Sequence, residues 1–320
     1  MISETQIRSV ISIQDLSVSK INYILSIAED IEKYPTKYKD ILNGKVVANL
    51  FFEPSTRTKL SFETAVKKLG GNTIGFDDIS NTSLKKGETF SDSIKIISDY
   101  SDLIVMRTKF EGAPRLASEI TTKPIINAGD GTNQHPTQTL LDLYTIKKEK
   151  KRLDNLSIGF FGDLKYGRTV HSLVEAISLY NPKVIKFIAD NHFQIGKDYL
   201  DLLEKKNIKY IVSDTYINNL KDLDILYVTR TQVERIVEPI DIEPLKKKYT
   251  ITKEILEKEG NKDILVMHPL PRVYEITTDV DSTTHNIYFK QAKNGVPVRQ
   301  AILCICLGLV GEKIYGWYWT

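Results

Sequence analysis

The sequence predicts an α/β fold with two doubly wound parallel-sheet domains joined by connector helices. Two observations lead to this prediction. Candidate strands and helices alternate along most of the chain, a pattern typical of parallel sheets that are covered by helices on both faces. The length of 320 residues is sufficient for two domains that each have a hydrophobic core.

The strands and helices of the first half are identified from their apolar patterns. Residues 46–52 are apolar and partly β-branched, as expected of a buried strand. A helix follows, because apolar residues recur at the i, i+3, i+4, i+7 spacing and Gly70 ends the run. The same criteria predict strands at 45–52, 73–76, 102–106 and 124–126 and helices at 17–33, 56–69, 88–99 and 112–119.

The second half repeats this alternation after a helix at 136–150, which we expect to connect the two domains. Pro136 would occupy its first position, where the missing N–H of proline costs nothing. The apolar run 301–310 is too short to cross a bilayer and is predicted to be a helix packed on the body of the protein. Further strands are predicted at 156–162, 184–189, 208–212, 224–229 and 264–268, and further helices at 167–180 and 196–206.

The composition argues against several classes of function. Hydrophobic residues make up 41% and charged residues 27% of the chain, which is ordinary for a globular protein, and the net charge is only +3. The densest basic run, 147–152, contains an acid and is better explained as a solvated helix end than as a nucleic-acid site. The N-terminus has no signal-peptide core, and Cys304 and Cys306 are expected to be buried and reduced. We therefore expect a cytoplasmic protein with no nucleic-acid partner, no membrane partner and no metal site.

Polar residues follow several predicted strands and mark a candidate ligand site. Ligands of open α/β sheets bind outside the carboxyl ends of the strands. We therefore expect the active site to lie in the cleft between the two domains. The polar residues at strand ends are Ser55 to Thr58, Arg107, Asp163, Arg230 and His268.

The run Ser55-Thr56-Arg57-Thr58 predicts a phosphate site at the start of a helix. The unpaired N–H groups of the first helical turn and the neighbouring hydroxyl groups can bind a phosphate dianion. An ordinary capped helix is the alternative, since this type of run is common at helix starts. Arg57 favours the phosphate site, because a cation in the first turn opposes the helix dipole unless an anion is bound.

Five motifs in a fixed order resemble those of the transcarbamoylase family, the aspartate/ornithine carbamoyltransferases. The first, Ser55 to Thr58, resembles the carbamoyl-phosphate loop that the whole family shares. The other four resemble the aspartate branch and span most of the chain. They are NAGDGTNQHPTQTLLD at 127–142, GDLKYGRTVH at 162–171, YVTRTQVER at 227–235 and HPLPR at 268–272.

The resemblance implies the domains and the activity. A carbamoyl-phosphate-binding domain is expected at 1–134 plus 292–320, and an aspartate-binding domain at 135–291. The implied reaction is attack of the L-aspartate amine on the carbonyl of carbamoyl phosphate, which gives N-carbamoyl-L-aspartate and phosphate in pyrimidine biosynthesis. The family's reaction needs no cofactor, no metal and no nucleophilic residue of the protein.

The resemblance also implies the residues of the site. The alternative role for His135, which precedes Pro136, is only to cap the connector helix. The alternative for Arg168 is a surface arginine near the start of a helix, without a role in binding. The implied catalytic residues are Thr58, Arg107, His135 and Lys86. Carbamoyl phosphate would be bound by Ser55, Thr56, Arg57, Thr58, Arg107, His135, Gln138 and the backbone carbonyls of Pro269 and Leu270. Aspartate would be bound by Lys86, Arg168, Arg230, Gln232 and Leu270.

The resemblance further implies an oligomer. In the family, a serine and a lysine from one loop reach the active site of the neighbouring subunit, and here Ser83 and Lys86 match best, with Lys85 as the alternative lysine. The expected catalytic unit is therefore a homotrimer. Some relatives add a zinc-binding regulatory chain to form an allosteric holoenzyme, in which domain closure pairs a glutamate with two arginines. The matching positions are Glu53, Arg168 and Arg235.

Two other interpretations stay open. One is a carbamoyltransferase for another amine acceptor, such as ornithine. The ornithine branch usually has a cysteine in the motif that here begins at His268, whereas this chain has Pro269 at that position. Arg168, Arg230 and Gln232 suit a second carboxylate better than they suit the ornithine amine. A non-catalytic relative is the other interpretation, and the intact set of matching side chains argues against it.

Overall fold

The computed structural model describes residues 6–78, 87–232 and 243–310 of the chain. These residues form two compact α/β units, which divide between Tyr144 and Thr145 and again between Lys293 and Asn294. The chain therefore leaves the first unit once and returns to it at its C-terminal helix. Both divisions fall inside helices, at 136–150 and 288–306, as expected of connector helices.

The sheet of the first unit is parallel and has the strand order β2-β1-β3-β4. The order reverses between β1 and β3, which is the point where ligands bind in open α/β sheets. The four strands are β1 (Val46–Phe51), β2 (Asn72–Phe76), β3 (Leu103–Thr108) and β4 (Ile125–Asp130). The helices of this part are α1 (Val18–Lys33), α2 (Pro35–Tyr38), α3 (Thr56–Lys68), α4 (Phe90–Tyr100) and α5 (Ala113–Ile120).

The sheet of the second unit is also parallel, and its order β7-β6-β5-β8-β9 reverses between β5 and β8. The five strands are β5 (Ser157–Gly162), β6 (Val184–Ile188), β7 (Tyr210–Ser213), β8 (Ile225–Thr229) and β9 (Leu265–Met267). The remaining helices are α6 (Pro136–Lys150), α7 (Arg168–Ile177), α8 (Lys197–Lys205), α9 (Glu243–Lys248), α10 (Lys253–Glu259) and α11 (Tyr288–Cys306).

Each unit has its own buried core, which fixes its sheet against its helices. In the first unit, Ala48 and Leu50 of β1 pack with Ile94 of α4 and Ala117 of α5. In the second unit, Val228 of β8 belongs to a cluster with residues of β5, β9 and the segment after β9. Burial of these side chains holds the strand ends in place, and the polar loops begin at those ends.

The predicted strands are all found, and the largest difference concerns β4. This strand was predicted at 124–126, but it continues to Asp130. Asn127 and Asp130 are poor strand formers, but distant parts of the unit bond to their side chains: Asn127 Nδ2 donates to the carbonyl of Ile11 at 2.9 Å, and Oδ2 of Asp130 accepts from the N–H of Gly112 at 2.9 Å. Tertiary hydrogen bonds therefore extend this strand beyond what local propensity predicts.

Three short helices, α2, α9 and α10, were not predicted, and α11 begins well before the apolar run at 301–310. Helix α11 starts at Tyr288 and contains Pro297, a residue that normally argues against a helix interior. The expected packing of Cys304 and Cys306 is confirmed, since both thiols are buried and free of a disulfide. Burial raises the pKa of both thiols to about 12, which keeps them protonated. None of the helices in the described part of the chain has the length and apolar character that crossing a membrane requires.

Candidate active site

The run Ser55 to Thr58 lies at the carboxyl end of β1 and forms the first turn of α3. Ser55 occupies the predicted N-cap position with an extended backbone, but its hydroxyl makes no capping hydrogen bond. Thr56 and Arg57 are exposed, whereas Thr58 is buried. The first turn of α3 thus presents backbone N–H groups, hydroxyl groups and a guanidinium at the carboxyl end of β1. This arrangement is suitable for binding an anion.

Arg107 lies on β3, directly beside the end of β1. Its carbonyl accepts a hydrogen bond of 2.8 Å from the N–H of Phe52, which fixes the two strand ends together. Its Nε lies 2.9 Å from Oε1 of Glu53, and both side chains are largely buried. Glu53 therefore pairs with a cation of its own unit in this structure. The expected bridge from Glu53 to Arg168 and Arg235 stays a prediction, and Arg235 lies outside the described residues.

The loop after β4 is organised by Asp130, whose side chain is buried. Its Oδ2 accepts hydrogen bonds from the N–H of Gly112 at 2.9 Å and from Nδ2 of Asn133 at 3.0 Å. Its Oδ1 accepts from Nδ2 of Asn127 at 2.9 Å and from the N–H of Gln134 at 3.1 Å. One carboxylate thus joins the loop that leads to His135 and Gln138 to β4 and to the start of α5.

The sequence does not single out Asp130, because an acid beside two glycines is typical of an ordinary turn. The feature of the sequence that could have identified Asp130 is its position at the end of a strand, just before several residues with amide side chains.

His135 and Gln138 lie at the start of α6. The carbonyl of His135 accepts hydrogen bonds from the N–H groups of Gln138 at 3.0 Å and Thr139 at 3.2 Å. The backbone of His135 therefore begins the helix, a role that does not require an imidazole. The ring itself is buried, with Nδ1 3.5 Å from the hydroxyl oxygen of Thr137. The amide of Gln138 donates to Oδ1 of Asp142 at 2.8 Å, one helical turn further on.

In the second unit, Asp163 plays the part that Asp130 plays in the first. It follows β5 directly and is fully buried. Its Oδ1 accepts a hydrogen bond from the N–H of Tyr166 and its Oδ2 accepts one from the N–H of Gln232, both at 2.9 Å. The carboxylate therefore joins the turn after β5 to the segment after β8.

The ends of β5 and β8 approach closely because Gly162 has no side chain. Its φ is +107°, and a Cβ at this position would lie 2.3 Å from the carbonyl oxygen of Thr229. The hydroxyl of Thr229 in turn donates to the carbonyl oxygens of Phe161 at 3.2 Å and Asp163 at 3.1 Å. A glycine is therefore required for the approach that allows Asp163 to reach both loops.

The three residues that are candidates for binding the carboxylates of aspartate follow β5 and β8, the two strands whose ends Asp163 joins. Arg168 is the first residue of α7 and is only 8% exposed, so it is not a surface arginine. The amide of Gln232 donates to the carbonyl of Tyr166 at 2.6 Å. Arg230 is half-buried, and its Nη1 lies 3.3 Å from the carbonyl oxygen of Thr231. The structure thus places Arg168, Arg230 and Gln232 at the carboxyl ends of β5 and β8.

Pro269 and Leu270 follow β9, and both are half-buried. Leu270 has a φ of +55°, and its peptide bond to Pro271 is cis. The N–H of Leu270 donates to Nδ1 of His268 at 2.7 Å. The sequence motif marked the two backbone carbonyls as ligands, but it did not show that a buried histidine holds the peptide group between them.

Some expected residues lie outside the part of the chain that the structure describes, namely Ser83, Lys85, Lys86 and Arg235. Within the described ranges, no group of three or more His, Cys, Asp and Glu side chains is placed to hold a metal ion.

Comparisons with known proteins agree on one family. Residues 8–148 match the family model described as aspartate/ornithine carbamoyltransferase, carbamoyl-P binding domain. Residues 154–306 match the model described as aspartate/ornithine carbamoyltransferase, Asp/Orn binding domain. A curated relative, the aspartate carbamoyltransferase catalytic subunit of Methanococcus vannielii, is 51% identical over 93% of this chain and 97% of its own length.

Solved structures give the same result. The catalytic subunit of M. jannaschii aspartate transcarbamoylase superposes with a TM-score of 0.87 at 48% identity, covering 93% of this chain and 97% of that one. Aspartate transcarbamoylase from Trypanosoma cruzi, in complex with N-(phosphonacetyl)-L-aspartic acid, superposes with a TM-score of 0.86 at 33% identity. That match covers 94% of this chain and 96% of the other.

The buried position of Asp163 predicts how pH affects stability. Burial raises the pKa of the Asp163 carboxyl above its ordinary value, although hydrogen bonds from Gln232 and Tyr166 oppose the increase. The folded state therefore binds this proton more tightly than the unfolded state does. The stability that this proton contributes is present below the unfolded pKa and is lost as pH rises through the folded pKa.

We expect Asp163→Asn to lower the free energy of unfolding by about 1–3 kcal/mol at neutral pH, because the new –NH2 faces a backbone N–H. The advantage of the wild type should grow as pH falls from 7 toward the ordinary range of an aspartate. Urea unfolding at several pH values measures this, with Asp154→Asn, an exposed aspartate of the same unit, as the control. An advantage that shrinks on acidification would mean that the pKa of Asp163 is lowered, not raised.

Proposed function

Because the chain belongs to the aspartate/ornithine carbamoyltransferase family, we propose that it transfers the carbamoyl group of carbamoyl phosphate to the amine of L-aspartate. The products are N-carbamoyl-L-aspartate and phosphate, as in pyrimidine biosynthesis. The observation that carries this proposal is the 51% identity to an aspartate carbamoyltransferase catalytic subunit over 93% of the chain.

The phosphate of carbamoyl phosphate would bind at the first turn of α3. The backbone N–H groups there, the hydroxyls of Ser55, Thr56 and Thr58, and the guanidinium of Arg57 supply donors for a dianion. A leaving phosphate held in this way is stabilised as negative charge builds up on it during the reaction. The geometry of this turn supports the proposal because the hydroxyl of Ser55 makes no capping hydrogen bond.

The carbonyl oxygen of the carbamoyl group would be polarised by Arg107, His135 and Thr58. The aspartate amine attacks the carbonyl carbon, the oxygen gains negative charge in the tetrahedral intermediate, and the carbon–oxygen bond to phosphate then breaks. Arg107 is paired with Glu53 at 2.9 Å. This ion pair engages Nε, one of the three nitrogens of the guanidinium. Gln138 and the carbonyls of Pro269 and Leu270 would hold the carbamoyl nitrogen.

The two carboxylates of aspartate would be bound by Arg168, Arg230 and Gln232. Two guanidinium groups suit two carboxylates, whereas ornithine would bring a cationic amine to the same place. Bringing these residues and those of the first unit onto one substrate is part of the proposal. So is the contribution of Ser83 and Lys86 from a neighbouring subunit.

We also propose a homotrimeric catalytic unit that binds a zinc-bearing regulatory chain in an allosteric holoenzyme. The support is that the relatives are called catalytic subunits, a name that implies a partner of another kind. The two buried, free thiols of α11 suit the reducing cytoplasm, where we place the reaction.

A product assay tests the proposed reaction most simply. With carbamoyl phosphate present, we expect carbamoylated product from aspartate and none from ornithine. Turnover of ornithine alone would assign the chain to the other branch of the family. Binding of carbamoyl phosphate without turnover of either amine would identify a non-catalytic relative.

Arg57→Ala should lower turnover by about a hundredfold or more, the size of loss seen when one donor to a developing charge is removed. The fold should survive, because removing a cation from the first turn of a helix relieves its repulsion from the helix dipole. Turnover and the melting temperature measure the two effects. Lys67→Ala, which removes an exposed cation from the far end of the same helix, is the matched control. A folded Arg57→Ala enzyme with near-normal turnover would contradict the phosphate assignment.

The shared site is tested by mixing two inactive chains, Lys86→Ala and Arg57→Ala. If Lys86 acts in the neighbouring site, about one third of the sites in each mixed trimer combine an intact Arg57 of one chain with an intact Lys86 of the next. Part of the activity should therefore return. Each variant taken alone through the same subunit exchange is the control. No recovery after verified exchange would indicate a self-contained site. Repeating the experiment with Lys85→Ala shows which lysine is the functional one.

A further inference from the structure

His268 and Glu275 form a buried pair beside Pro269 and Leu270. Both residues are 1% exposed, and Nε2 of His268 lies 2.8 Å from Oε1 of Glu275. The backbone N–H of His268 donates to Oε1 of Gln291 at 2.9 Å, which fixes the residue to α11. His268 is therefore held through both its ring and its backbone within the second unit.

The hydrogen bonds define which nitrogen of His268 carries the proton. The N–H of Leu270 donates to Nδ1 at 2.7 Å, so Nδ1 acts as an acceptor. The proton then lies on Nε2 and points to the carboxylate of Glu275. The same carboxylate accepts hydrogen bonds from the N–H groups of Val273 at 3.1 Å and Tyr274 at 3.0 Å. The segment from His268 to Glu275 thus folds around one carboxylate, which sets the tautomer of the histidine.

The bond to Nδ1 has a geometric consequence for the carbonyl of Pro269. The N–H of Leu270 and the carbonyl of Pro269 belong to one peptide group, which is planar and, unlike the next one, trans. Fixing the N–H therefore fixes the carbonyl, which points away from the imidazole. The φ of +55° at Leu270 is unusual for a residue with a branched side chain, and the N–H of this same residue is the one that bonds to His268.

We propose that His268, through the hydrogen bond that its Nδ1 accepts from the N–H of Leu270, is a positioning residue that aims the carbonyl of Pro269 at the –NH2 of the carbamoyl group. The proposal rests on the proposed function, which makes that carbonyl a ligand of the carbamoyl nitrogen. His268 does not touch the substrate. It acts through the peptide group that it holds, and it thereby favours a carbamoyl group over an acyl group that lacks the –NH2.

Two substitutions separate the two hydrogen bonds of the imidazole. In His268→Asn, the side-chain oxygen takes the place of Nδ1 and can still accept the N–H of Leu270, but nothing reaches Glu275. In His268→Gln, the amide can still reach Glu275, but no acceptor remains for Leu270. His285→Gln is the control, because His285 also bonds to the main chain, through Nδ1 to the carbonyl of Ile264 at 2.8 Å, at another place in the unit.

Two small phosphonates report on the carbamoyl nitrogen. Phosphonoacetamide carries the –NH2, and acetonylphosphonate has a methyl group in its place. We expect the wild type to prefer the amide by about tenfold, the value of one or two hydrogen bonds. The preference should fall toward one in His268→Gln and should be kept in His268→Asn and His285→Gln. Calorimetric titration of the full-length protein measures both affinities. A role in folding alone would lower the melting temperature of a variant without changing this ratio.

The outcomes decide between positioning and packing. A preference kept in both His268 variants, lost equally in both, or lost only in His268→Asn would overturn the proposal. Nitrogen-15 NMR of the histidine rings of the wild-type protein gives a second readout, which does not depend on whether any variant folds. An unprotonated Nδ1 in His268 supports the proposal, and a protonated Nδ1 overturns it. A wild type that carbamoylates aspartate but shows no preference between the probes refutes only this inference. A wild type that carbamoylates no aspartate refutes the proposed function.

Discussion

Two buried aspartates, one in each unit and each placed at the carboxyl end of a parallel strand, hold the polar loops that carry candidate site residues of that unit. Asp130 gathers one donor from the loop after β3, one from β4 and two from the loop after β4, and Asp163 joins the loops after β5 and β8. A buried carboxylate is stable only when donors surround it. The donors of the loops therefore replace water around each carboxylate, and the carboxylate in turn holds those loops in place.

In the proposed function, this constraint keeps candidate site residues of each unit in position. Catalysis by positioned donors requires that the donors are already in place when charge develops. Here the N–H of Gln134, directly before His135, and the N–H of Gln232 itself each bond to a buried aspartate. Arg107 is held differently, by the ion pair between its Nε and Glu53.

Much of the fold and of the site was predictable, and the exceptions share a physical cause. The parallel sheets and the α3 turn follow from local apolar periodicity and from residues adjacent in the chain. The extension of β4 to Asp130 and the pairing of His268 with Glu275 depend on hydrogen bonds formed only in the folded unit. The pairing of Arg107 with Glu53 is of the same kind. No local pattern encodes such bonds, although the motif from His268 to Arg272 marked where one of them would lie.

A crystal structure of this protein with N-(phosphonacetyl)-L-aspartic acid, the ligand of the Trypanosoma cruzi complex, would show whether the candidate residues of the two units bind one ligand. We expect the phosphonate at the first turn of α3, within hydrogen-bond distance of Ser55 and Arg57. We expect the two carboxylates of the ligand against Arg168 and Arg230, at the ends of the strands that Asp163 joins. A phosphonate bound away from α3, or carboxylates bound without either arginine, would contradict the proposed site.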